Sequence, residues 1–311
     1  MESTRFHALA DQFSQKHILV IGDLMLDSYM WGQTNRISPE APVPVVSVQK
    51  VTHNPGGAAN VGWNIASLSA KVTMAGVVGD DSHGEQLLKI ISDRGINIDS
   101  VAKDPLRPTT VKTRVIAQSQ QVVRTDYESL DELSSESLQA MQNSIVQNMN
   151  DVDAVILADY NKGLFSEEMI SAILSLANEN NVPVYVDPKH DHFFAFTGVR
   201  LFKPNAVEYA RAMNTTEHDT GGSTLREKLN ADHVLVTLGA AGMQLTTAED
   251  EIKISTKARA VHDVSGAGDT VIAVYTLADI SGATPKEAAT LANLAAGRVC
   301  EEVGVVPIDL A

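Results

Sequence analysis

The nine residues His262-Asp263-Val264-Ser265-Gly266-Ala267-Gly268-Asp269-Thr270 stand directly before the apolar run 271–278. Three small residues at 266–268 let the backbone come close to a ligand, and the run behind them reads as a helix whose first-turn N–H groups lack partners. Such a turn is an anion site, because those amides and the positive end of the helix dipole favour a phosphate or an oxyanion. Asp269 sits in the same turn. A carboxylate there can take a proton from an alcohol while Gly266, Ala267 and Gly268 stabilise charge on a migrating phosphoryl group. The stretch reads as the catalytic turn of a phosphotransferase, with plain helix capping by Asp269 and Thr270 as the competing reading.

Other constellations could serve the same chemistry. In Gly56-Gly57-Ala58-Ala59-Asn60 the two glycines admit a polyol close to the backbone, and Asn60 offers both a donor and an acceptor. The pattern is neither a P-loop nor a dinucleotide fingerprint. Asp23 and Asp27 follow a strand-like run. A carboxylate there can accept hydrogen bonds from sugar hydroxyls, although capping of the next turn suits Asp23 better. Arg114, Arg124, Lys162 and Lys189 lie at or just beyond expected strands in a chain short of basic residues, where two or three of them could meet a substrate phosphate. Asn205 and Glu208 open a helix after a strand, and one glutamate near a nucleotide phosphate suffices for Mg²⁺. Asp191 between His190 and His192 lacks a third well-spaced ligand and reads as a polar loop.

The elements that position these residues follow a βα rhythm. A helix is expected over 3–14, a strand over 17–21, a turn at 54–57 and a helix over 58–68. A strand over 71–78 and a helix over 84–93 come next. Beyond 130, helices at 134–149, 166–178, 206–212 and 225–229 alternate with strands at 154–158, 183–186, 200–202 and 234–237. A hairpin over 243–255 and two closing helices complete the chain, the last with Thr284 as N-cap, Pro285 at its first position and Glu287 three residues after the cap. The expected fold is α/β, a mostly parallel sheet covered by helices on both faces. Two β-rich stretches, about 28–51 and 105–126, break the rhythm. They are expected to pair into a small β-lid over the carboxyl edge of the main sheet, the whole forming one domain over 1–311.

Composition narrows the class. With 44% hydrophobic and 20% charged residues the chain is globular, and a net charge of −15 is the wrong sign for coating nucleic acid or an anionic membrane. Cys300 is the only cysteine, which excludes an internal disulfide and fits a cytoplasmic setting. Neither a signal peptide nor a membrane span is expected.

On these residues the chain resembles the ribokinase-like (PfkB) carbohydrate kinases over essentially its whole length. The glycine-rich 54–60 with Gly76 to Gly84 behind it, and 263–270, match the family's two signatures. Within the family, Ile37-Ser38-Pro39-Glu40-Ala41-Pro42, Asp159-Tyr160-Asn161-Lys162-Gly163 and Asp187-Pro188-Lys189 look like those of the D-glycero-β-D-manno-heptose-7-phosphate kinases. The resemblance implies a Rossmann-like core, a β-lid that forms a homodimer contact, and ATP-Mg²⁺ transfer of phosphate to the anomeric 1-hydroxyl of heptose 7-phosphate, toward lipopolysaccharide. It implies Asp269 as base and Gly266 to Gly268 as anion hole. Asp27, Gly56, Gly57 and Asn60 would hold the sugar, Arg124 and Lys162 the 7-phosphate, with Lys189 beside the substrate. Asn205 and Glu208 would meet the ATP phosphates and magnesium, Thr237, Gly239 and Asn293 would flank the nucleotide, and Asp263 and Ser265 would hold a monovalent cation such as K⁺. The match has departures. His190-Asp191-His192 follows Lys189 where those kinases carry a glycine and a small polar residue, and Leu238 stands where a charged residue is expected. No second catalytic motif such as H-x-G-H occurs, so kinase chemistry alone is expected of the chain. A kinase for another sugar or sugar phosphate, and a nucleotide-binding sugar sensor without turnover, are the alternative functions.

Overall fold

The computed structural model describes residues 3–118, 120–216, 221–256, 264–302 and 304–308. The chain opens with α1 (Ser3–Phe13) and β1 (His17–Gly22). Only Asp23 separates β1 from β2 (Leu24–Ile37), and β3 (Pro44–Gly57) returns antiparallel to β2 and runs straight into α2 (Ala58–Ser67). Next come β4 (Lys71–Gly79), α3 (Ser82–Ser92) and β5 (Asn97–Asp104), then a second hairpin, β6 (Thr110–Ala117) and β7 (Gln120–Tyr127). The chain continues through α4 (Ser135–Asn148), β8 (Ala154–Ala158), α5 (Glu167–Glu179), β9 (Val184–Asp187), β10 (Leu201–Phe202), α6 (Ala206–Met213) and α7 (Gly222–Leu229). It closes with β11 (His233–Thr237), β12 (Met243–Thr246), β13 (Glu251–Ile254), α8 (Ala267–Ile280) and α9 (Pro285–Val299).

Nine strands form the main sheet in the order β13-β12-β11-β10-β9-β8-β1-β4-β5, parallel except for β12 and β13. Strand periodicity sends alternate side chains to opposite faces. Ile18 and Val20 join Ile156 in the core under α2, α8 and α9, whereas Leu19 and Ile21 join Val155 and Leu157 in the core under α4 and α5. Both faces being covered, β1 and β8 read as uninterrupted apolar runs, which is why they are visible in the sequence. Among the described residues no helix is long and apolar enough to cross a membrane.

The other four strands form a separate sheet, β3-β2-β6-β7, with β2 and β6 parallel. Each of its hairpins leaves and rejoins the main layer at a hydrogen bond. The Ala58 amide donates to the Asp23 carbonyl at 3.0 Å, and the Ser134 amide donates to Asp104 Oδ2 at 2.7 Å.

Two local expectations change. Residues 54–57 are not a turn but the end of β3, with Pro55 opposite Leu26. Proline is tolerated there because β3 is an edge strand and the missing N–H breaks no ladder. β5 goes unnoticed in the sequence because Asn97, Asp99 and Lys103 give it the polar face of an edge strand at the rim of the main sheet. The final helix starts as expected, with Thr284 accepting from the Glu287 amide at 3.3 Å and Glu287 returning to the Thr284 amide at 2.9 Å. Thr284→Ala removes this box at an exposed site and should lower unfolding free energy by about 1 kcal/mol in urea denaturation, with little change in the slope.

Candidate active site

Gly266 caps α8 with φ 81°, a left-handed conformation that suits glycine, and a Cβ there would stand 2.7 Å from Asn60 Nδ2. The backbone can therefore turn sharply into the helix, where first-turn N–H groups lack helical partners, although the Ala267 amide donates to the Val264 carbonyl at 3.3 Å. Asp269 does not cap that helix. Its Oδ2 accepts from Asn60 Nδ2 at 2.7 Å, and its Oδ1 accepts from the Tyr160 hydroxyl. Burial pushes the Asp269 carboxyl up to about 6; the hydrogen bonds from Tyr160 and Asn60 and the ammonium of Lys203 hold it down, while Asp187 adds to the rise. Thr270 does not cap either. Its hydroxyl donates to Asn64 Oδ1 at 3.0 Å.

Asn64 explains why Asn60 and Asp269 meet. Fully buried one turn beyond Asn60 on α2, it donates to the Asn60 carbonyl at 2.9 Å and also accepts the Ile308 amide at 3.1 Å. One amide side chain thus locks α2, α8 and the segment 304–308 together. Tyr160 is fixed from behind by Asp23. The buried Asp23 Oδ2 accepts the amides of Tyr160 at 2.9 Å and Lys162 at 3.2 Å, so this carboxylate braces the loop after β8 rather than capping a turn. Burial drives it, too, up to about 6.

On the lid side, Asp27 is buried and pairs with Arg114, whose guanidinium lies 5.3 Å from the Tyr29 ring centroid. Burial raises the Asp27 carboxyl, with Arg114 opposing. Gly56 and Gly57 give way to these carboxyl residues: a Cβ on Gly56 would lie 2.5 Å from Asp27 Oδ2, and one on Gly57 2.6 Å from the Asp23 carbonyl oxygen. Arg124 stands opposite Arg114 across β6 and β7 and pairs with Asp126 at 3.0 Å; Lys162 pairs with Glu128 at 2.9 Å.

On the other side of the turn a cavity of about 460 Å³ is lined by Thr237, Gly239, Asn293, Ala267, Gly268 and neighbouring residues. Its size and mostly apolar walls suit a small organic ligand such as a nucleotide base. Asn293 donates to the Ser255 carbonyl at 2.8 Å. Asn205 and Glu208 form a capping box on α6, with Asn205 Oδ1 accepting the Glu208 amide at 2.9 Å and Glu208 Oε2 accepting the Asn205 amide at 2.8 Å. The remaining Glu208 oxygen binds Lys189. Lys189 thus joins Asn205 and Glu208, while its ammonium also lies 5.8 Å from the ring centroid of Tyr160, beside Asp269. Burial pulls its ammonium down, but the carboxylates of Asp187 and Glu208 outweigh that and leave it above its ordinary value.

Three residues of this crevice were not singled out for a role in the sequence. Tyr160 touches Asp269. Lys203, only 3% exposed, pairs with Asp187 at 3.0 Å beneath the glycine turn, 3.5 Å from where a Gly268 Cβ would lie. The signal was their position, since each lies at or just past the carboxyl end of a core strand, where open α/β sheets build sites. The oxygen donors of Asp187 and Glu208 suit a hard cation, and Mg²⁺ near phosphate needs few carboxylates plus waters. Of the two expected K⁺ ligands, Ser265 lies half-buried beside Gly266, and Asp263 lies outside the described residues. His190 contacts Asn161 Nδ2 at 2.9 Å and Asp191 at 2.9 Å.

Comparison with known proteins adds the family. The pfkB family carbohydrate kinase pattern matches residues 15–309. The chain is 40% identical over 301 residues to the bifunctional protein HldE of Sulfurimonas denitrificans, covering 94% of this chain and 62% of that protein. It is 41% identical over 294 residues to the bifunctional protein HldE of Helicobacter pylori strain J99, covering 93% and 64%. The chain thus spans a little under two thirds of the length of these curated relatives. Among solved structures it is similar in fold to Arabidopsis thaliana ribokinase complexed with ribose and ATP, with a TM-score of 0.72, 19% identity and coverage of 94% and 96%. Phosphofructokinase-2 from Escherichia coli in complex with potassium matches at a TM-score of 0.78, 18% identity and the same coverage. The fold is accordingly ribokinase-like. With the matched pattern spanning nearly all of a sheet whose carboxyl edge carries the glycine turn and its aspartate, the chain belongs to the pfkB family of carbohydrate kinases, phosphotransferases that act on a sugar.

Proposed function

We propose that this kinase transfers phosphate from ATP to the anomeric 1-hydroxyl of D-glycero-β-D-manno-heptose 7-phosphate, a step toward ADP-heptose and lipopolysaccharide. The observation that carries the reading is Asp269. It stands between the nucleotide-sized cavity and the lid, gripped by Asn60 and Tyr160. Similarity to the HldE proteins supports the acceptor.

In this mechanism Asp27, Gly56, Gly57 and Asn60 hold the sugar, and Asp269 accepts the proton of the 1-hydroxyl as its oxygen attacks the γ-phosphorus. One P–O bond forms, the bond to the β–γ bridging oxygen breaks, and ADP leaves with that oxygen. The amides of the glycine turn and the Lys203 ammonium face the charge that spreads over the transferring group. Thr237, Gly239 and Asn293 flank the nucleotide. Mg²⁺ would be held through water by Glu208 and would neutralise the nucleotide phosphates, and K⁺ would be held by Ser265 with Asp263. Arg124 and Lys162 receive the 7-phosphate. The reading takes the chain as one kinase domain working in the cytoplasm, paired into a homodimer through the lid, whose strands expose Val48, Val51 and Val123.

Four outcomes test it. In a coupled ADP-release assay with heptose 7-phosphate, Asp269→Asn should lower kcat by roughly 10²–10⁴-fold while calorimetry shows ATP binding nearly unchanged; a variant that keeps its rate removes Asp269 from the chemistry. Because the base must be ionised, kcat/KM should fall as pH drops through about 6. Tyr160→Phe deletes a hydrogen bond that holds that value down, so this acid limb should move to higher pH. Lys162→Ala and Arg124→Ala should raise KM for the phosphorylated sugar more than for its unphosphorylated analogue; equal losses would mean that neither reads the phosphate.

A further inference from the structure

The charged face of the lid holds a contact that the kinase mechanism leaves unused. Register places Asp27, Lys112 and Asp126 side by side across β2, β6 and β7, with Arg114 opposite Arg124 two residues on. Beyond the end of β7, Glu128 lies between two ammonium groups, its Oε1 2.9 Å from Lys162 Nζ and its Oε2 3.6 Å from Lys112 Nζ. All three side chains are mostly enclosed, at 25%, 18% and 16% exposure. Yet Glu128 Oε2 is buried and accepts no hydrogen bond from the described residues.

We propose that the Glu128 carboxylate stands in for a phosphomonoester: Lys112, Lys162 and Arg124 form an anion subsite on the lid, which Glu128 occupies until the substrate's phosphate displaces it. The inference deepens the sugar-phosphate reading above and rests on it. Three arguments support it. Lys162 is fixed in place, since its amide donates to Asp23 and its carbonyl accepts Arg107 Nη2 at 2.7 Å. Its neighbour but one, Tyr160, touches the base, so the pair lies on the acceptor side of the crevice.

Charge is the second argument. Among the described residues the four cations Lys112, Arg114, Arg124 and Lys162 face the three carboxylates of Asp27, Asp126 and Glu128, leaving one cation in excess. That excess stands out in a chain of net charge −15. The third argument is stoichiometric. A carboxylate brings one charge and leaves an oxygen without a hydrogen bond, whereas a phosphate dianion brings about two charges and three acceptor oxygens to the same cations. Exchange therefore favours the phosphate. An unphosphorylated sugar gains nothing by displacing Glu128, so the contact doubles as a filter and as a tie between lid and core while the site is empty.

Inorganic phosphate titrated by calorimetry into the full chain, with a non-hydrolysable ATP analogue saturating the nucleotide site, tests the proposal directly. Glu128→Gln should bind phosphate about fivefold more tightly than the wild type, the size of one released ion pair, and adding Lys162→Ala should abolish the gain. Glu128→Asp, which keeps the charge but retracts it, should shift affinity the same way by less and serves if the glutamine variant does not fold. Unchanged or weaker phosphate binding in both variants, or a gain that survives Lys162→Ala, overturns the stand-in. If the true acceptor is a different sugar phosphate, the heptose assay fails while the phosphate titration still succeeds.

Discussion

The structure depends on keeping one carboxylate both sheltered and usable. Asp269 is drawn out of water far enough for its proton affinity to rise, and among the described residues two neutral donors, the Asn60 amide and the Tyr160 hydroxyl, touch its oxygens. Neutral donors orient a carboxylate without neutralising it, as a directly paired lysine would, which fits the proposed role of base. Holding those donors takes three separate parts of the chain: the start of α2, the loop after β8 and the first turn of α8. The buried Asn64 and Asp23 are the struts that keep these parts in register.

Elsewhere in the crevice the opposite arrangement prevails. Lys203 pairs with Asp187, Lys189 with Glu208 and Arg114 with Asp27, so cations lie along the expected path of the phosphates already neutralised. A buried lone cation would carry a large desolvation penalty, and internal pairing removes it while the site is empty. An arriving phosphate then exchanges one set of ion contacts for another. Binding is moderated by what it must displace, which suits a kinase that has to release a phosphorylated product.

Much of this was readable beforehand, for identifiable reasons. Doubly covered strands such as β1 and β8 are apolar from end to end, and α9 carries its capping box in four residues. The glycines and aspartate of the α8 turn are contiguous, so their chemistry shows in the sequence itself. Tyr160 escaped because its contact with Asp269 spans 109 residues and is fixed by the order of strands in the sheet. For Lys189 the sequence shows that it follows a strand but not which neighbours its long stem reaches, which are Glu208 and the Tyr160 ring. Pro55 and the polar β5 misled for one shared reason, that edge strands obey different rules from the strands they flank.

The two hairpins of the lid meet the core in the same manner, each with its ends a single hydrogen bond apart, at Asp23 with Ala58 and at Asp104 with Ser134. An insertion closed in this way adds little chain-entropy cost to the framework that carries it, whatever its length. The fold can therefore be viewed as a fixed phosphate-transfer engine with two exchangeable cassettes spliced into βα connections. Under the proposed mechanism, acceptor preference can drift by rewriting the cassettes while the alignment of Asp269 and the glycine turn stays untouched.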